Sequence, residues 1–354
     1  MPPVQSTAPD VRLEVLDPVA DASWVGLVDR DPGATIFHHP AWLRLLRDHY
    51  RYAIEAWCVR APDGRLAEGL PVALVRGRLT GRRLISLPFS DACGPVRDPD
   101  AGLGPAALAA AVARRRSETG LPFEVRSELT DAPGAVVVRR YAQHRLALDA
   151  DVEQVQRRFS KSQVKRGIAK AMREGVTIER HRTASALARF YDLHLSTRRR
   201  QGVPTQPRRF ILRFAELFDA GLGFVLLARH QERDIAAGVF LAAGSTLTYK
   251  YGASRRRDLA LRPNNLLFME AIRWGCEHGL RTLDFGRTDL DNEGLLAFKR
   301  SWGATESPLA YTFLGKSNPD RPPGPAQRAV SSVIRHSPPV VGRLVGEALY
   351  RELA

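Results

Sequence analysis

Among its 354 residues the chain has only three cysteines, three methionines and six lysines. Cys58, Cys93 and Cys276 lie far apart and form no Cys-x-x-Cys pair, which argues against a structural zinc site and a disulfide framework. A reducing, cytoplasmic location is the expectation that follows. No apolar run approaches the roughly 18 residues of a membrane-spanning helix, and the longest stretch, residues 106–113, is short and alanine-rich. The first ten residues lack a basic segment followed by an apolar one, so no secretory signal is expected. What is present is an ordinary globular composition, 44% hydrophobic and 26% charged, long enough for two domains with a core each.

Charge is strongly of one sign. Lys and Arg number 53 against 38 Asp and Glu, a net +15. The excess is concentrated: residues 151–180 hold eight basic and four acidic side chains, residues 195–213 six arginines and no acid, and residues 250–262 five basic and one acidic. Brought onto one face, these stretches would suit a polyanion or a phosphorylated ligand. Kept apart, they would be solvated loops and helix faces.

Periodicity predicts strands over residues 12–16, 52–59, 66–75, 84–87, 123–128 and 135–148, and helices over 21–28, 40–49 and 105–116. Residues 152–174 read as one long helix, followed by a strand over 176–180 and helices over 184–199 and 208–219. A meander follows (224–229, 235–242, 246–251), then helix 264–278, strand 282–285, helix 293–302 and strand 310–314. The fold class expected is α/β (α+β), a mixed, mainly antiparallel sheet covered by helices in each of two domains, 1–150 and 151–317. The remainder, 318–354, reads as a Pro-rich linker and two amphipathic helices broken at Pro338-Pro339, suited to a membrane surface or to the body of the protein.

Several apparent motifs fail on context. Gly102-x-Gly104 and Gly221-x-Gly223 lack the third glycine and the strand-loop-helix setting of a dinucleotide loop. Asp284-Phe285-Gly286 has no accompanying phosphate loop or His-Arg-Asp segment. Asp289-x-Asp291 begins like a calcium loop, but Arg300 stands where the closing glutamate belongs. His38 and His39 are adjacent and cannot share a helix face, so no metal is expected.

Three segments carry chemistry. In residues 159–175, Lys161 stands one turn before Lys165, with Arg166 on an adjoining stripe, either a phosphate-binding face or a solvated one. Tyr249-Lys250-Tyr251 runs through Arg255-Arg256-Arg257 to Arg262-Pro263-Asn264-Asn265 and a helix start, an arrangement for an anionic group or a helix capped by Asn264. Third, Asp284-Phe285-Gly286-Arg287 is followed by a short helix with Phe298, Lys299 and Trp302. Acyl transfer to an amine passes through an oxyanion, which a fixed, partly desolvated ammonium at Lys299 could stabilise.

In this order, Phe37-His38-His39-Pro40-Ala41-Trp42, Leu87-Pro88-Phe89-Ser90-Asp91, Ser160-Lys161 to Gly175, Asp284 to Arg287 and residues 294–303 together resemble the Fem-like branch of the GNAT acyltransferases. That branch includes the FemABX aminoacyl-tRNA-dependent peptidyltransferases of peptidoglycan bridge formation. The run from Leu193 to Phe210 is similar to a subgroup associated with bacterial exopolysaccharide and exosortase systems. The resemblance covers about residues 10–315 and implies two GNAT-like domains with neither metal nor covalent intermediate. It implies that Lys299, with Phe298, stabilises the reacting carbonyl, and that Lys161, Lys165 and Arg166 meet the phosphates of a nucleotide-linked acceptor. Asp289 and Asp291 are assigned by position alone as general-base candidates. Arg199, Tyr249, Tyr251, Arg262, Asn264, Asn265, Asp284, Arg287 and Trp302 complete the substrate-binding candidates. One departure counts against an acetyl-CoA donor: Arg262-Pro263-Asn264-Asn265 stands where the family's glycine-spaced pyrophosphate loop would be.

The activity expected is N-acyl transfer from aminoacyl-tRNA to an amine of a nucleotide- or lipid-linked cell-envelope precursor, with no bound cofactor. The basic stretches favour the tRNA donor. The alternatives are an acyl-CoA or carrier-protein donor acting on an amino sugar in exopolysaccharide assembly, and a non-catalytic protein binding nucleic acid or a membrane surface. Peripheral contact with the inner membrane face through the tail is a further expectation.

Overall fold

The computed structural model describes residues 12–77, 81–129, 131–315 and 325–352. The chain divides into two compact units, residues 1–140 with 309–319, and residues 141–308 with 320–353. The division thus falls at 140/141, before the boundary read from the sequence, and the last strand returns to the first unit. Most of the expected linker, residues 318–324, lies outside the described residues.

The first unit contains β1 (Glu14–Leu16), α1 (Ala22–Arg30), α2 (Pro40–Tyr50), β2 (Ala53–Arg60), β3 (Leu66–Gly77), β4 (Gly81–Ile85), β5 (Val96–Arg97), α3 (Ala106–Thr119), β6 (Phe123–Val125) and the start of β7 (Ala135–Ala147). Its strands pair antiparallel except for β4 and β6, which are parallel and meet over Leu84–Phe123 and Ile85–Glu124 alone. The crossover needed to make them parallel is α3. The two histidines that open the Fem-like pattern hold backbone: His39 Nδ1 caps α2 by accepting the Ala41 N–H, and buried His38 accepts the Thr35 N–H and donates to Gly94 O. Cys93 is buried too, and its burial pushes the thiol up, away from nucleophilic ionisation.

The second unit follows with α4 (Val152–Arg157), a π-helical turn (Lys161–Lys165), α5 (Arg166–Arg173), β8 (Thr177–His181), α6 (Ala184–Gln201), α7 (Arg208–Leu212), α8 (Phe214–Asp219), β9 (Gly223–His230), β10 (Arg233–Ala243), β11 (Thr246–Ser254), a 3₁₀ turn (Arg256–Leu261), α9 (Pro263–Glu277), β12 (Thr282–Asp289) and α10 (Glu293–Arg300), after which the closing strand β13 (Thr305–Leu314) begins in this unit and passes into the first at residue 309. The tail adds α11 (Pro325–His336) and α12 (Pro339–Leu349). The order β8-β9-β10-β11-β12-β7 is antiparallel throughout except at β11 and β12. That parallel pair is bridged by α9, as β4 and β6 are by α3.

The single long helix predicted over 152–174 is interrupted. Phe159 turns into the core against Trp302, ring centroids 5.1 Å apart, and the Ser160 N–H donates to Ser301 O at 2.7 Å instead of continuing the helical ladder. Ser160, in an extended conformation, then caps the π turn through its hydroxyl. The helix predicted over 208–219 is likewise two short helices meeting at Arg213.

Helix α6 is capped by Thr183 at its start and by Gly202, φ +71°, at its end. It buries His194, whose Nε2 donates to Gln206 Oε1 at 2.7 Å while the ring stacks on Phe190. Burial, with the nearby Arg198 charge, lowers its pKa from 6.5 to about 3. Between those values the unfolded chain takes up a proton that the folded chain refuses, so this contribution is present above pH 6.5 and lost on acidification. We expect stability to fall by about 1.4 kcal/mol per pH unit over that window, and His194→Gln to flatten the slope in urea titrations run between pH 7 and 4.

The tail docks on α6. A Cβ on Gly346 would stand 1.8 Å from Thr205 O, Thr205 N donates to Gly342 O, and Ile334 is buried. Val330, Val333, Val340 and Leu344 nevertheless remain exposed. Among the described residues no helix is long and apolar enough to cross a membrane.

Candidate active site

Strands β11 and β12 pair only at Thr246–Thr282, Leu247–Leu283 and Thr248–Asp284, although they extend to Ser254 and Asp289. Beyond the third rung each follows its other neighbour, β11 with β10 and β12 with β7, and the two part. Both are bulged near the divergence. On β11 the shift falls at Lys250, and on β12 at Phe285-Gly286, where Gly286 takes φ +71°. The Asp284 carboxylate fixes the second bulge by accepting the Gly286 N–H at 2.8 Å and the Gln143 Nε2–H at 2.7 Å. Asp284 is therefore a support for the strand rather than an open ligand.

Lys299, on α10, is only 3% exposed. Its ammonium donates to Gly286 O at 2.7 Å and to Arg287 O at 3.2 Å, the two carbonyls that the bulge turns toward it. The dipoles of these two carbonyls orient the charge. Beside it His144, fully buried, donates from Nε2 to Glu306 at 2.8 Å, and Glu306 is in turn clamped by Arg300. Burial, then the Lys299 charge, lowers the His144 pKa, and the Glu306 carboxylate opposes them in part.

A cleft of about 480 Å³ is lined by Ser162 and Gln163 of the π turn, Arg262 to Asn265 at the start of α9, and Gly294, Ala297 and Phe298 of α10. It joins the first, second and third sequence segments. Its walls touch closely: Asn265 Nδ2 donates to Gln163 O, and a Cβ on Gly167 would stand 2.7 Å from that same nitrogen. The expected Asn264 cap is not formed. Arg262, at φ +58°, occupies the cap position, and Pro263 opens α9.

The remaining candidates separate. Lys161, Lys165 and Arg166 are exposed on and just after the π turn, while Asp289 and Asp291 are exposed at and beyond the end of β12. Arg287 is exposed over the Tyr141 ring, 4.5 Å from its centroid. Tyr249 packs against Phe240 and Phe268 on the α9 side, its phenol raised by burial, whereas Tyr251 packs against His194 and Phe214 on the α6 side. Trp302 is wholly buried against Phe159, Phe268, Phe285 and Phe298, so it shapes the site from beneath and cannot meet substrate. Arg199 lines a different cleft, with Arg200 and Arg255 to Arg257. Sequence reasoning passed over His144, for which a lone histidine in a strand gives no signal, and could not see that Lys250 is buried at the β11 bulge.

Residues 157–300 match the acetyltransferase (GNAT) domain family. Within that class the chain is similar to the lipid II:glycine glycyltransferase of Staphylococcus haemolyticus (strain JCSC1435), 42% identical over 85 residues, covering 22% of this chain and 20% of that one. The Staphylococcus aureus protein of the same name is 36% identical over 84 residues, 20% of each chain. The match thus spans about a fifth of the length of these curated relatives. Among solved structures, that of FemX superposes with a TM-score of 0.66 at 16% identity, covering 84% of this chain and 96% of that one. A tandem GNAT protein from the clavulanic acid biosynthesis pathway gives 0.52 at 14% identity, covering 87% and 100%. At these identities the likeness is one of fold, and it makes the architecture two tandem GNAT-like domains with helices added at the C-terminus.

Proposed function

We propose that the protein is an N-acyltransferase of the Fem-like kind, moving an aminoacyl group from aminoacyl-tRNA to an amine of a lipid- or nucleotide-linked peptidoglycan precursor. The observation that carries this reading is Lys299, a buried ammonium held by the carbonyls of Gly286 and Arg287 on β12, beyond the last rung that strand shares with β11. In the reaction the acceptor amine attacks the ester carbonyl, an amide C–N bond forms and the ester C–O bond breaks. The amine's proton leaves, and the released hydroxyl of the tRNA takes one up. Lys299 stabilises the oxyanion between these events, with Phe298 beside it on α10. Asp289 and Asp291 are the positional candidates to receive the amine's proton. Alignment of amine and carbonyl supplies the rest of the acceleration.

The similarity to lipid II:glycine glycyltransferases supports a lipid-linked acceptor and a site of action at the inner membrane face. The exposed apolar residues of α11 and α12 suit that setting. Exposed Lys161, Lys165 and Arg166, beside the cleft at Ser162 and Gln163, suit a phosphate-bearing partner.

The test is a transfer assay with a charged tRNA pool and, in parallel, acetyl-CoA, offered lipid II and amino-sugar acceptors over a salt titration. We expect tRNA-dependent transfer that weakens steeply with salt. Acetylation from CoA without any tRNA-dependent product would overturn the donor assignment and move the search to amino sugars.

A further inference from the structure

On the α6 side of the second unit a cleft of about 570 Å³ is lined by Ser196, Arg199, Arg200, Arg255, Arg256, Arg257 and Arg335. Three separate elements supply the arginines: the last turn of α6, the segment after β11 and the docked tail helix α11. Among the described residues no acidic side chain lines it.

What holds these guanidiniums is informative. Arg200 donates to Ser254 O at 3.2 Å, Arg255 to Asp234 O at 2.8 Å and Arg335 to Gln201 O at 3.5 Å. Backbone carbonyls orient a charge but do not cancel it. Asp258 approaches only Arg257, at 3.6 Å. The Nε of Arg199 is buried without a hydrogen-bond partner in the structure, an arrangement that costs free energy unless an acceptor arrives. Like charges gathered in a concavity repel one another and focus a positive potential that draws in an anion. Arginine forks match phosphate oxygens two at a time, and six of them exceed what one monoanion can satisfy.

We propose that this cleft is a binding site for a diphosphate group, built jointly by α6, the segment after β11 and the tail. It does not rest on the acyl-transfer reading, since neither Lys299 nor the cleft at the start of α9 contributes to it. The diphosphate could be that of a soluble phosphorylated molecule or of a lipid headgroup.

The probe is inorganic pyrophosphate, titrated calorimetrically into the full chain, with chloride and sulfate as controls. We expect saturable binding that weakens about tenfold in Arg256→Gln and again in Arg335→Gln, both exposed positions whose thermal melts should match the parent protein. Lys299→Met should leave it unchanged. In the second arm, co-sedimentation with phosphatidylcholine vesicles carrying a polyprenyl diphosphate, but not with vesicles of phosphatidylcholine alone, that pyrophosphate displaces would support a lipid source. Pyrophosphate binding without such displacement would support a soluble one. Absence of pyrophosphate binding, affinity equal in all variants, or affinity no greater than that for sulfate would each overturn the proposal.

Discussion

Lys299→Met should lower the turnover of acyl transfer by about 10²- to 10³-fold with little change in KM, the loss expected when one preorganised oxyanion donor is removed. Methionine approximates the length and apolar stem of lysine, so the packing of α10 on β12 is largely kept. The ammonium is not. Its removal leaves the carbonyls of Gly286 and Arg287 without this donor, and we expect a stability loss of about 1–3 kcal/mol from that cause. Single-turnover rates compared with urea melts separate the two effects. A folded variant that transfers at the parental rate would remove Lys299 from the chemistry. Arginine should not rescue: its planar fork is larger than the buried slot and cannot reproduce a point charge there.

Trp302→Ala should be the more damaging change to the fold, costing about 3–5 kcal/mol. The indole is fully buried among four phenylalanines, one of which, Phe159, breaks the helix after α4 so that Ser160 can bond to Ser301. An empty space there removes the reason for that break. Urea unfolding should show the loss, and the lining of the cleft at Ser162 and Gln163 should exchange amide hydrogens faster. Trp302→Phe should cost much less, because the indole N–H is buried without a partner and its loss relieves that penalty.

Much of this architecture was legible because hydrophobic alternation and turn residues report local geometry. The meander of β9 to β11, the helices α6 and α9 and the tail helices stand close to where periodicity places them. The interruption at residues 158–160 was not legible, since its cause is a tertiary contact with a tryptophan about 140 residues away. The bulges at Lys250 and Gly286 were hidden for a similar reason: a one-residue shift against a neighbouring strand leaves no mark on composition. Charge told a mixed story. The stretches 195–213 and 250–262 do meet, at Arg199, Arg200 and Arg255 to Arg257, but no residue of 151–180 lines that cleft. Lys299 stood out as one of six lysines beside an aromatic pair, yet its burial could be seen only once β12 was bent toward it.

The three-rung seam between β11 and β12 has a consequence for how such a protein can diversify. Each strand is anchored along its outer edge, so the angle at which they separate is set by its pairing with β10 or β7. Side chains lining the opening can then be exchanged without disturbing the backbone carbonyls that aim the ammonium. On the proposed acyl-transfer reading, donor and acceptor preferences can then drift while this backbone frame stays constant, and a change of substrate needs no change of fold.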